Sequence, residues 1–303
     1  MAVRAHFGDL LTPGFRKIFS DNFDLVPTVR ERVFHTGTSE KDTEKDSAVF
    51  WFGLAVETAE GAPIDYEDPV QGYDKTYTHL KYSKGFKVSL ELYEDDLYNI
   101  MNKRPAALGK SMGRTAEDQA SLVLRRAFNA SYLGADSEEL CSTSHDRSDG
   151  GTAQSNASST GITLTEANLE TAVNAMRDQL DDKGQVINVY PTMLIIPIEL
   201  DKDAHEIVDS ERRQGTADND LNFWKGKFDI VPWIYLTSAT AWFLLDSSVH
   251  QLNWFWRRQP RFASDELFDT EYAVYKSTMR LSRGWSDWRG VWGSQGDGAS
   301  YSS

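Results

Sequence analysis

The chain has 303 residues, of which 40% are apolar and 26% are charged, and these ordinary globular values exclude bulk disorder and fibrous repeats. Its 46 acidic residues outnumber its 32 basic residues and give a net charge of -14, which opposes non-specific binding to nucleic acid backbones. No apolar run approaches the roughly 18 residues of a membrane span, and the N-terminus lacks the apolar core of a signal peptide. The single cysteine, Cys141, excludes an intrachain disulfide and is typical of synthesis in a reducing cytosol.

Residues 1–46 are predicted to form an arm rather than a domain. Phe15 and Phe19 line one side of a short helix that Pro13 interrupts. The polar run TGTSEKDTEKDS, at 36–47, follows this helix and is typical of an exposed linker.

The segment 47–93 is predicted to be a long β-hairpin. Ala48 to Thr58 has a β-rich composition, and Thr76 to Tyr93 returns with near-alternation of apolar and polar residues. The tip between them, AEGAPIDYEDPVQGY, carries two prolines and two glycines and is typical of a loop. Such a hairpin has little core of its own and needs another surface to lie on.

Residues 94–164 are predicted to hold a long amphipathic helix and the turns that follow it. The helix spans Glu94 to Tyr132 with an interruption at Pro105, and its apolar stripe has small side chains at Ala116 and Ala120. Small side chains in the middle of a stripe let another element pack closely.

Residues 165–247 have the order of elements that is typical of a compact α+β domain. Thr165 is the expected cap of a helix that runs to Lys183, and the polar segment Glu211–Asn222 is expected to be mobile. The other predicted elements are the strand Thr192–Ile196, the helix Ile198–Ser210, and the strands Phe228–Leu236 and Ala241–Asp246. Residues 248–293 are strand-like and aromatic, and a flexible tail is expected after them.

No motif in the sequence indicates catalysis or the binding of a cofactor or a metal. Glycine-rich phosphate loops and nucleophile elbows do not occur in the sequence. His205 opens a pattern like that of zinc proteases, but Asp209 stands where the second histidine is needed. Cys141 is predicted to be a small buried apolar residue, and the Asn-Ala-Ser triplets at 129 and 156 lack the secretory context of glycosylation sites. We therefore expect no catalytic residues, cofactor or metal.

Six short motifs in a fixed order resemble the major capsid proteins of tailed phages with the HK97 fold, and among these the Mu-like major head subunits. Together the six motifs extend over about 240 residues, and no single motif is specific for this family. The motifs are Gly14–Phe19, Phe50–Leu54, Tyr93–Asp96, the turn Leu140–His145, Pro191–Pro197 and the aromatic strand Ala241–Asp246. The long return strand Asp74–Tyr93 departs from the arrangement in those capsid proteins.

The resemblance implies an α+β, HK97-like capsid fold. Its parts would be an N-terminal arm (1–46), an extended hairpin loop (47–93), a peripheral domain with a long spine helix (94–164), an axial domain (165–247), and return strands of the peripheral domain with a flexible tail (248–303). Trp285, Trp288 and Trp292 would then pack inside the peripheral domain together with nearby arginines, Arg283 and Arg289, rather than stack on single-stranded bases.

The implied function is structural. Copies of the chain would form pentamers and hexamers, with the segment 211–222 adjusting to both rings, and these would build an icosahedral shell around double-stranded DNA without reading its sequence. The implied partners are further copies, a portal protein, a separate scaffolding protein (the arm lacks sustained heptads) and a decoration protein where one exists. Assembly would take place in the host cytoplasm, with no membrane, and the virion would hold the product.

Two other readings of the sequence stay open. One is an encapsulin-like compartment of the same fold, which would store an enzyme cargo and lack a portal and DNA. The other is an unrelated enzyme or a β-rich binding module, which would not form rings or large particles.

Two blocks of opposite charge suggest how copies would meet. The segment Gly37–Asp74 carries ten acids and two lysines, whereas Leu97–Ala116 carries four basic residues and no acid. They are either two solvated faces or complementary surfaces on neighbouring copies. We predict that they face each other between subunits; the residues named for this contact are Glu60, Glu67, Asp68, Lys103, Arg104, Lys110 and Arg114.

Overall fold

The computed structural model describes residues 7–50, 52–89, 91–92, 100–212, 221–267 and 272–300, in which helices and strands are mixed. The helices are α1 (Phe7–Asp24), α2 (Arg30–Val33), α3 (Ile100–Arg125), α4 (Glu166–Arg177) and α5 (Asp201–Val208), with a 3-10 turn at Ile198–Leu200 before α5. The strands are β1 (His35–Thr38), β2 (Thr43–Phe50), β3 (Val70–Thr78), β4 (Leu80–Ser89), β5 (Met193–Ile196), β6 (Asp229–Pro232), β7 (Trp242–Leu245), β8 (Leu252–Leu267), β9 (Tyr272–Trp285) and β10 (Val291–Ser294).

The strands form two four-stranded sheets and a separate ribbon. The first, which we call the long sheet, has the order β1-β8-β9-β4, and the second, the short sheet, has the order β10-β7-β5-β6. The ribbon is the antiparallel pair of β2 and β3. Buried apolar residues form two clusters: one joins the long sheet, α1 and α3 to one face of the short sheet, and the other lies between the opposite face of the short sheet and the helices α4 and α5.

The composition of the polar run at 36–47 predicted an exposed linker. This prediction was wrong, because two strands form there. β1 runs parallel to β8, and the Ser39 N–H continues the pairing by donating to the Trp256 carbonyl at 3.0 Å. β2 pairs with β3 in the ribbon. Both strands are polar because they lie at the edge of a sheet or in an exposed ribbon, where composition resembles that of a loop.

The hairpin predicted for 47–93 also differs from the structure. The outgoing strand ends at Phe50 rather than Thr58, and the return segment is two strands that separate at His79. β3 stays with β2, whereas β4 leaves the ribbon and pairs with β9 over its whole length, from Leu80 opposite Leu281 to Ser89 opposite Tyr272. The alternation in β4 reflects the long sheet, since Val88 is buried in its core.

Helix α3 carries the predicted apolar stripe, which is buried at Leu108, Met112, Ala116 and Ala120. It contains Pro105 without interruption and ends at Arg125 rather than Tyr132, while the predicted start at Glu94 lies outside the described residues. Helix α1 likewise continues through Pro13.

The arm packs closely on α3 through two glycines that the sequence reasoning did not use. A Cβ on Gly109 would lie 2.4 Å from the Phe19 carbonyl oxygen, and one on Gly113 would lie 2.8 Å from a methyl group of Val26. Further along the arm, the carboxylate of Glu117 on α3 accepts the backbone N–H groups of Val29 and Arg30, both at 3.2 Å. The arm is therefore attached to α3 by contacts that tolerate no added atoms.

We expect Gly109→Ala to lower the free energy of unfolding by about 1–3 kcal/mol, because its methyl group would force α1 away from α3. Gly14→Ala is the matched control, since nothing lies within 4 Å of its Cβ position in α1. There alanine should stabilise the helix, by up to about 1 kcal/mol. Urea unfolding measures both changes; a gain in stability for both variants would show that the close approach at Gly109 is not rigid.

The domain around the short sheet largely has its predicted elements. Thr165 caps α4, and its Oγ1 accepts the Asn168 N–H at 3.3 Å, but the helix ends at Arg177 rather than Lys183. The residues after it form a turn that closes at Gly184, with a φ of +75°. Of the segment expected to be mobile, 213–220 lie outside the described residues.

The C-terminal segment corrects two expectations. β10 pairs with β7 in the short sheet instead of returning to the long sheet, and Trp292 packs on Trp242 there, with ring centroids 5.0 Å apart. The tail is held as far as residue 300: the Gly161 N–H donates to the Ala299 carbonyl at 2.8 Å, and the Gly298 N–H donates to the Gly161 carbonyl at 2.7 Å.

The tryptophans near the C-terminus are buried, but Trp292 lies in the short sheet rather than in the peripheral part that the prediction named. Trp285, Trp288 and Trp292 are at most 7% exposed, and Arg289 pairs with Asp182 at 2.5 Å in the interior. Buried rings leave no face on which nucleic acid bases could stack.

Candidate assembly surfaces

The segment 52–69, which we call the tip loop, joins β2 to β3 and exposes large apolar side chains. Leu54 is 79% exposed and Tyr66 is 88% exposed, and Phe52, Val56 and Ile64 are each at least 65% exposed. Isolated apolar residues on a surface need no explanation, but five of them in one loop make this loop a candidate contact surface.

The tip loop is also strongly acidic. It contains five acids and no basic residue: Glu57, Glu60, Asp65, Glu67 and Asp68. Glu67 is bound within its own chain, where it pairs with Lys183 and accepts the Gly53 N–H at 2.7 Å. The Lys183 contact, followed by that of Gly53, holds the pKa of the Glu67 carboxyl below its usual value. Glu60, Glu67 and Asp68, the three acids predicted for an intersubunit contact, are all exposed, although Glu67 is bound within its own chain.

The basic residues predicted to meet these acids lie on α3. Lys103, Lys110 and Arg114 are exposed and follow one face of the helix, opposite its buried stripe; we call them the basic stripe. Arg104 is half-buried, and its Nη1 donates to the Lys87 carbonyl at 2.6 Å. Among the described residues, none of the four forms an ion pair with the acidic block of its own chain. That the two surfaces meet between subunits stays a prediction.

A second basic surface was missed by the sequence reasoning. Three neighbouring strands of the long sheet, β4, β8 and β9, line a groove of about 520 Å³. We call this the basic groove; it is lined by Lys81, Ser83, Lys84, Gly85, Arg258, Arg261, Ala263, Lys276 and Thr278. Five of these nine residues are cationic and none is acidic. They come from three separate stretches of sequence, so no single stretch showed the accumulation.

A buried polar network joins the turn after α3 to the short sheet. Asn156 donates from Nδ2 to the carbonyls of Leu140, at 2.8 Å, and Val291, at 3.2 Å, while its Oδ1 accepts the Ser142 N–H at 2.9 Å. The same oxygen lies 2.9 Å from Nε2 of His145, a residue of the Leu140–His145 motif. Both Asn156 and His145 are fully buried, so this motif forms part of the interior.

Two stacked histidines fix the start of β1 against the start of β8. The rings of His35 and His250 lie 4.3 Å apart, and Nδ1 of His250 accepts the Leu252 N–H at 3.2 Å. Burial, reinforced by His35 and opposed by Asp246, lowers the pKa of His250 to about 4. His250 is therefore neutral at physiological pH.

This neutral histidine predicts a pH dependence of stability. Between its unfolded value near pH 6.5 and about pH 4, the unfolded chain binds a proton at position 250 that the folded chain does not, so stability falls as the pH falls. The loss from this group is about 3 kcal/mol in total. We expect the difference in unfolding free energy between the unmodified chain and His250→Asn to shrink or reverse between pH 7 and pH 4. His205 is exposed, and His205→Asn should leave the pH dependence of the unfolding free energy unchanged. Equal pH profiles of stability for the two variants would refute this role of His250.

Two residues considered for chemistry have other roles. His205 Nδ1 lies 2.5 Å from Asp209 on the exposed surface of α5. Cys141 is buried, as predicted, and burial raises the pKa of its thiol. The described residues contain no group of three or more His, Cys, Asp or Glu side chains placed to hold a metal ion. None of the helices in this part of the chain is long and apolar enough to cross a membrane.

The arrangement of two sheets, a long α3, a packed arm and an exposed ribbon matches a known family. The family model described as phage capsid protein matches residues 72–294. The chain belongs to this phage capsid protein family. No protein in the curated collection matches it.

Solved structures of capsids share its fold. The bacteriophage JBD30 capsid protein is 15% identical, with a TM-score of 0.58, over 78% of this chain and 100% of that one. The capsid protein of cyanophage P-SCSP1u has 9% identity and a TM-score of 0.58, over 88% of this chain and 87% of that one. The virus-like particle of Pyrococcus furiosus has 9% identity and a TM-score of 0.50, over 93% and 98%. The α+β fold of this phage capsid protein is HK97-like, as the sequence motifs implied.

Proposed function

We propose that this chain is the major head subunit of a tailed phage, and that it assembles through pentamers and hexamers into an icosahedral shell around double-stranded DNA. Membership of the phage capsid protein family supports the structural role, and the Mu-like subtype is part of the proposal. The virion is its site of action, after synthesis and assembly in the host cytoplasm. Its role is structural, without catalysis.

The observation that carries this proposal is the tip loop. A single copy leaves five large apolar side chains of this loop exposed, since none of the residues that the structure describes covers them. Burying them against a second copy would remove apolar surface from water at about 25 cal/mol per Å². A contact that joins this loop to a different surface of the next copy is head-to-tail, and head-to-tail contacts that close produce rings.

The charge distribution fits the same assembly. We propose that the acidic block Gly37–Asp74 of one subunit faces the basic stripe on α3 of the next. Each exposed pair would contribute only about 0–1 kcal/mol, but repetition at every contact favours one register and one direction of closure. A net charge of -14 also fits a shell around DNA, because an acidic wall repels the DNA backbone rather than binding it.

The proposed partners follow from this role. A portal protein would occupy one vertex and a separate scaffolding protein would direct assembly, while a decoration protein could bind the outer surface. The domain division predicted from the sequence belongs to the same proposal, with β10 assigned to the axial part.

Sedimentation velocity of the purified chain tests the proposal. We expect pentamers, hexamers or closed particles that become more abundant as protein concentration rises. A chain that stays monomeric at all concentrations and salt conditions would contradict it. Particles that form without DNA and enclose an enzyme would favour the encapsulin-like compartment instead.

A further inference from the structure

We propose that His79, together with Ser39 and Glu44, makes the joint between the ribbon and the long sheet sensitive to pH, closed at neutral pH and opened by acid. The chain passes between these two parts twice, from β1 to β2 at 39–42 and from β3 to β4 at residue 79. We call these two crossings the ribbon joint. The tip loop leaves the opposite end of the ribbon, so the joint determines the direction in which a subunit presents that loop.

One buried hydroxyl connects the two crossings. Ser39 is 4% exposed, and its Oγ donates to a carboxylate oxygen of Glu44 at 2.6 Å. The same hydroxyl oxygen accepts the Lys41 N–H at 3.2 Å and lies 3.0 Å from Nε2 of His79. A hydroxyl has one proton, and Glu44 receives it, so Nε2 of His79 is the donor in the remaining contact. The neutral imidazole therefore has its proton on Nε2 and a lone pair on Nδ1.

The other ring nitrogen of His79 has no acceptor to which it could donate a proton. Nδ1 is buried and has no hydrogen-bond partner among the described residues. Two cations face the ring, Arg280 of β9 and Arg257 of β8, and they are opposed by Glu44 of β2 and by Asp42 in the first crossing. Burial, followed by the charge of Arg280, lowers the pKa of His79 below its ordinary value.

These surroundings predict that acid favours an open form of the ribbon joint. In the closed form, a second proton on His79 would add a buried charge near two arginines and an N–H without an acceptor. In an open form, the ring is in water and has its ordinary pKa of 6.5. The open form therefore binds a proton that the closed form does not, and the opening equilibrium increases as the pH falls below about 6.5. Between pH 7 and pH 5 the increase can reach about 25-fold.

A second attachment of the ribbon does not depend on a histidine. The Tyr77 hydroxyl lies 2.8 Å from Oγ of Ser286, which donates to the carboxylate of Asp46. Hydroxyl groups keep their charge between pH 5 and pH 7, so these contacts do not change where His79 gains a proton. The ribbon also keeps its own pairing, from Thr43 opposite Thr78 to Phe50 opposite Val70. Acid thus frees the ribbon joint without unfolding the ribbon.

Hydrogen exchange of the unassembled subunit at pH 7 and pH 5 tests this proposal. The reporter is the Ser39 N–H, which donates to the Trp256 carbonyl at 3.0 Å in the first crossing. After correction for the intrinsic exchange rate, we expect the protection of this amide to fall by about tenfold or more at pH 5. His79→Gln keeps a side-chain donor for Ser39 but does not titrate, so its protection should be the same at both pH values. Constant protection in the unmodified chain, or an equal fall in His79→Gln, would overturn the proposal.

Two further variants separate the titration of His79 from other causes of loosening. Ser286→Ala removes the second attachment, so it should lower the protection of Ser39 by the same factor at pH 7 and pH 5. His250→Asn should retain the fall in protection between these pH values. A fall that disappears in His250→Asn would assign the pH dependence to His250 and overturn the role of His79.

The nitrogen-15 chemical shifts of the His79 ring provide a test that does not depend on opening. At pH 7 they should show a neutral imidazole with its proton on Nε2, as the contacts of Ser39 require. A ring with its single proton on Nδ1, or a doubly protonated ring at pH 7, would contradict the proposal.

Discussion

Reversing the charge of the basic stripe, with Lys103→Glu, Lys110→Glu and Arg114→Glu in one chain, should abolish assembly and leave the circular dichroism of the subunit unchanged. The three side chains are exposed, so their replacement disturbs no core. Arg104 is left in place because its guanidinium holds the Lys87 carbonyl. Each attractive pair across the proposed contact would become a repulsive one, and this change would be repeated at every contact of a ring. Light scattering at low salt measures the loss.

A graded series separates charge from shape at these positions. Glutamine at the same three positions should weaken assembly less than glutamate does. Glu60→Lys and Asp68→Lys, added to the reversed chain, should partly restore it. Assembly of the unmodified chain should weaken with salt, since the Debye length falls from about 10 Å at 0.1 M to about 3 Å at 1 M. Normal assembly of the reversed chain at low salt would mean that the stripe is only a solvated face.

Asn156→Ala should lower the free energy of unfolding of the subunit by about 3–5 kcal/mol. Its amide group joins the turn after α3 to β10 through three backbone partners, the Leu140 and Val291 carbonyls and the Ser142 N–H, all in the interior. Removing it leaves these groups without that partner, where water does not replace it. Urea unfolding of the unassembled subunit measures the change.

The chain provides a matched control for this substitution. Asn129 occurs in the same Asn-Ala-Ser context, but it is exposed, and its side chain accepts the Ser131 N–H at 2.9 Å. Asn129→Ala should change the stability by less than about 1 kcal/mol. Equal effects of the two substitutions would contradict the view that the polar network at Asn156 holds the turn after α3 on the short sheet.

The elements that sequence reasoning predicted well are those with a local signal. The stripe of α3 follows the helical period, and its residues are buried as predicted. The cap at Thr165 and the continuous apolar run of β5 depend on neighbouring residues alone, and both are present. Each such signal lies within one element, so a single sequence is enough to read it.

The elements that were missed depend on pairing between distant residues. Thr36 in β1 pairs with Trp254, and Leu80 in β4 pairs with Leu281, across about 200 residues of sequence. Polar residues at an edge strand have no periodicity that separates them from a linker. The two glycines of α3 were a readable signal, since Gly109 and Gly113 are four residues apart and therefore share one face of the helix.

The assembly surfaces were predicted in part. The acidic tip and the basic stripe could be found by counting charges along the chain, because each is one continuous segment. The basic groove could not, since its cations come from β4, β8 and β9 and are diluted in each strand by apolar residues of the opposite face. Glu67 was counted as a contact residue, and only the structure shows its pairing with Lys183.

Electron cryomicroscopy of the purified chain, concentrated at low salt, tests the central claim most directly. We predict closed shells with five- and six-membered rings, in which the tip loop of each subunit lies on its neighbour and its apolar side chains are covered. Monomers or irregular aggregates without rings, under conditions in which the chain is folded, would contradict the claim that this phage capsid protein builds a shell.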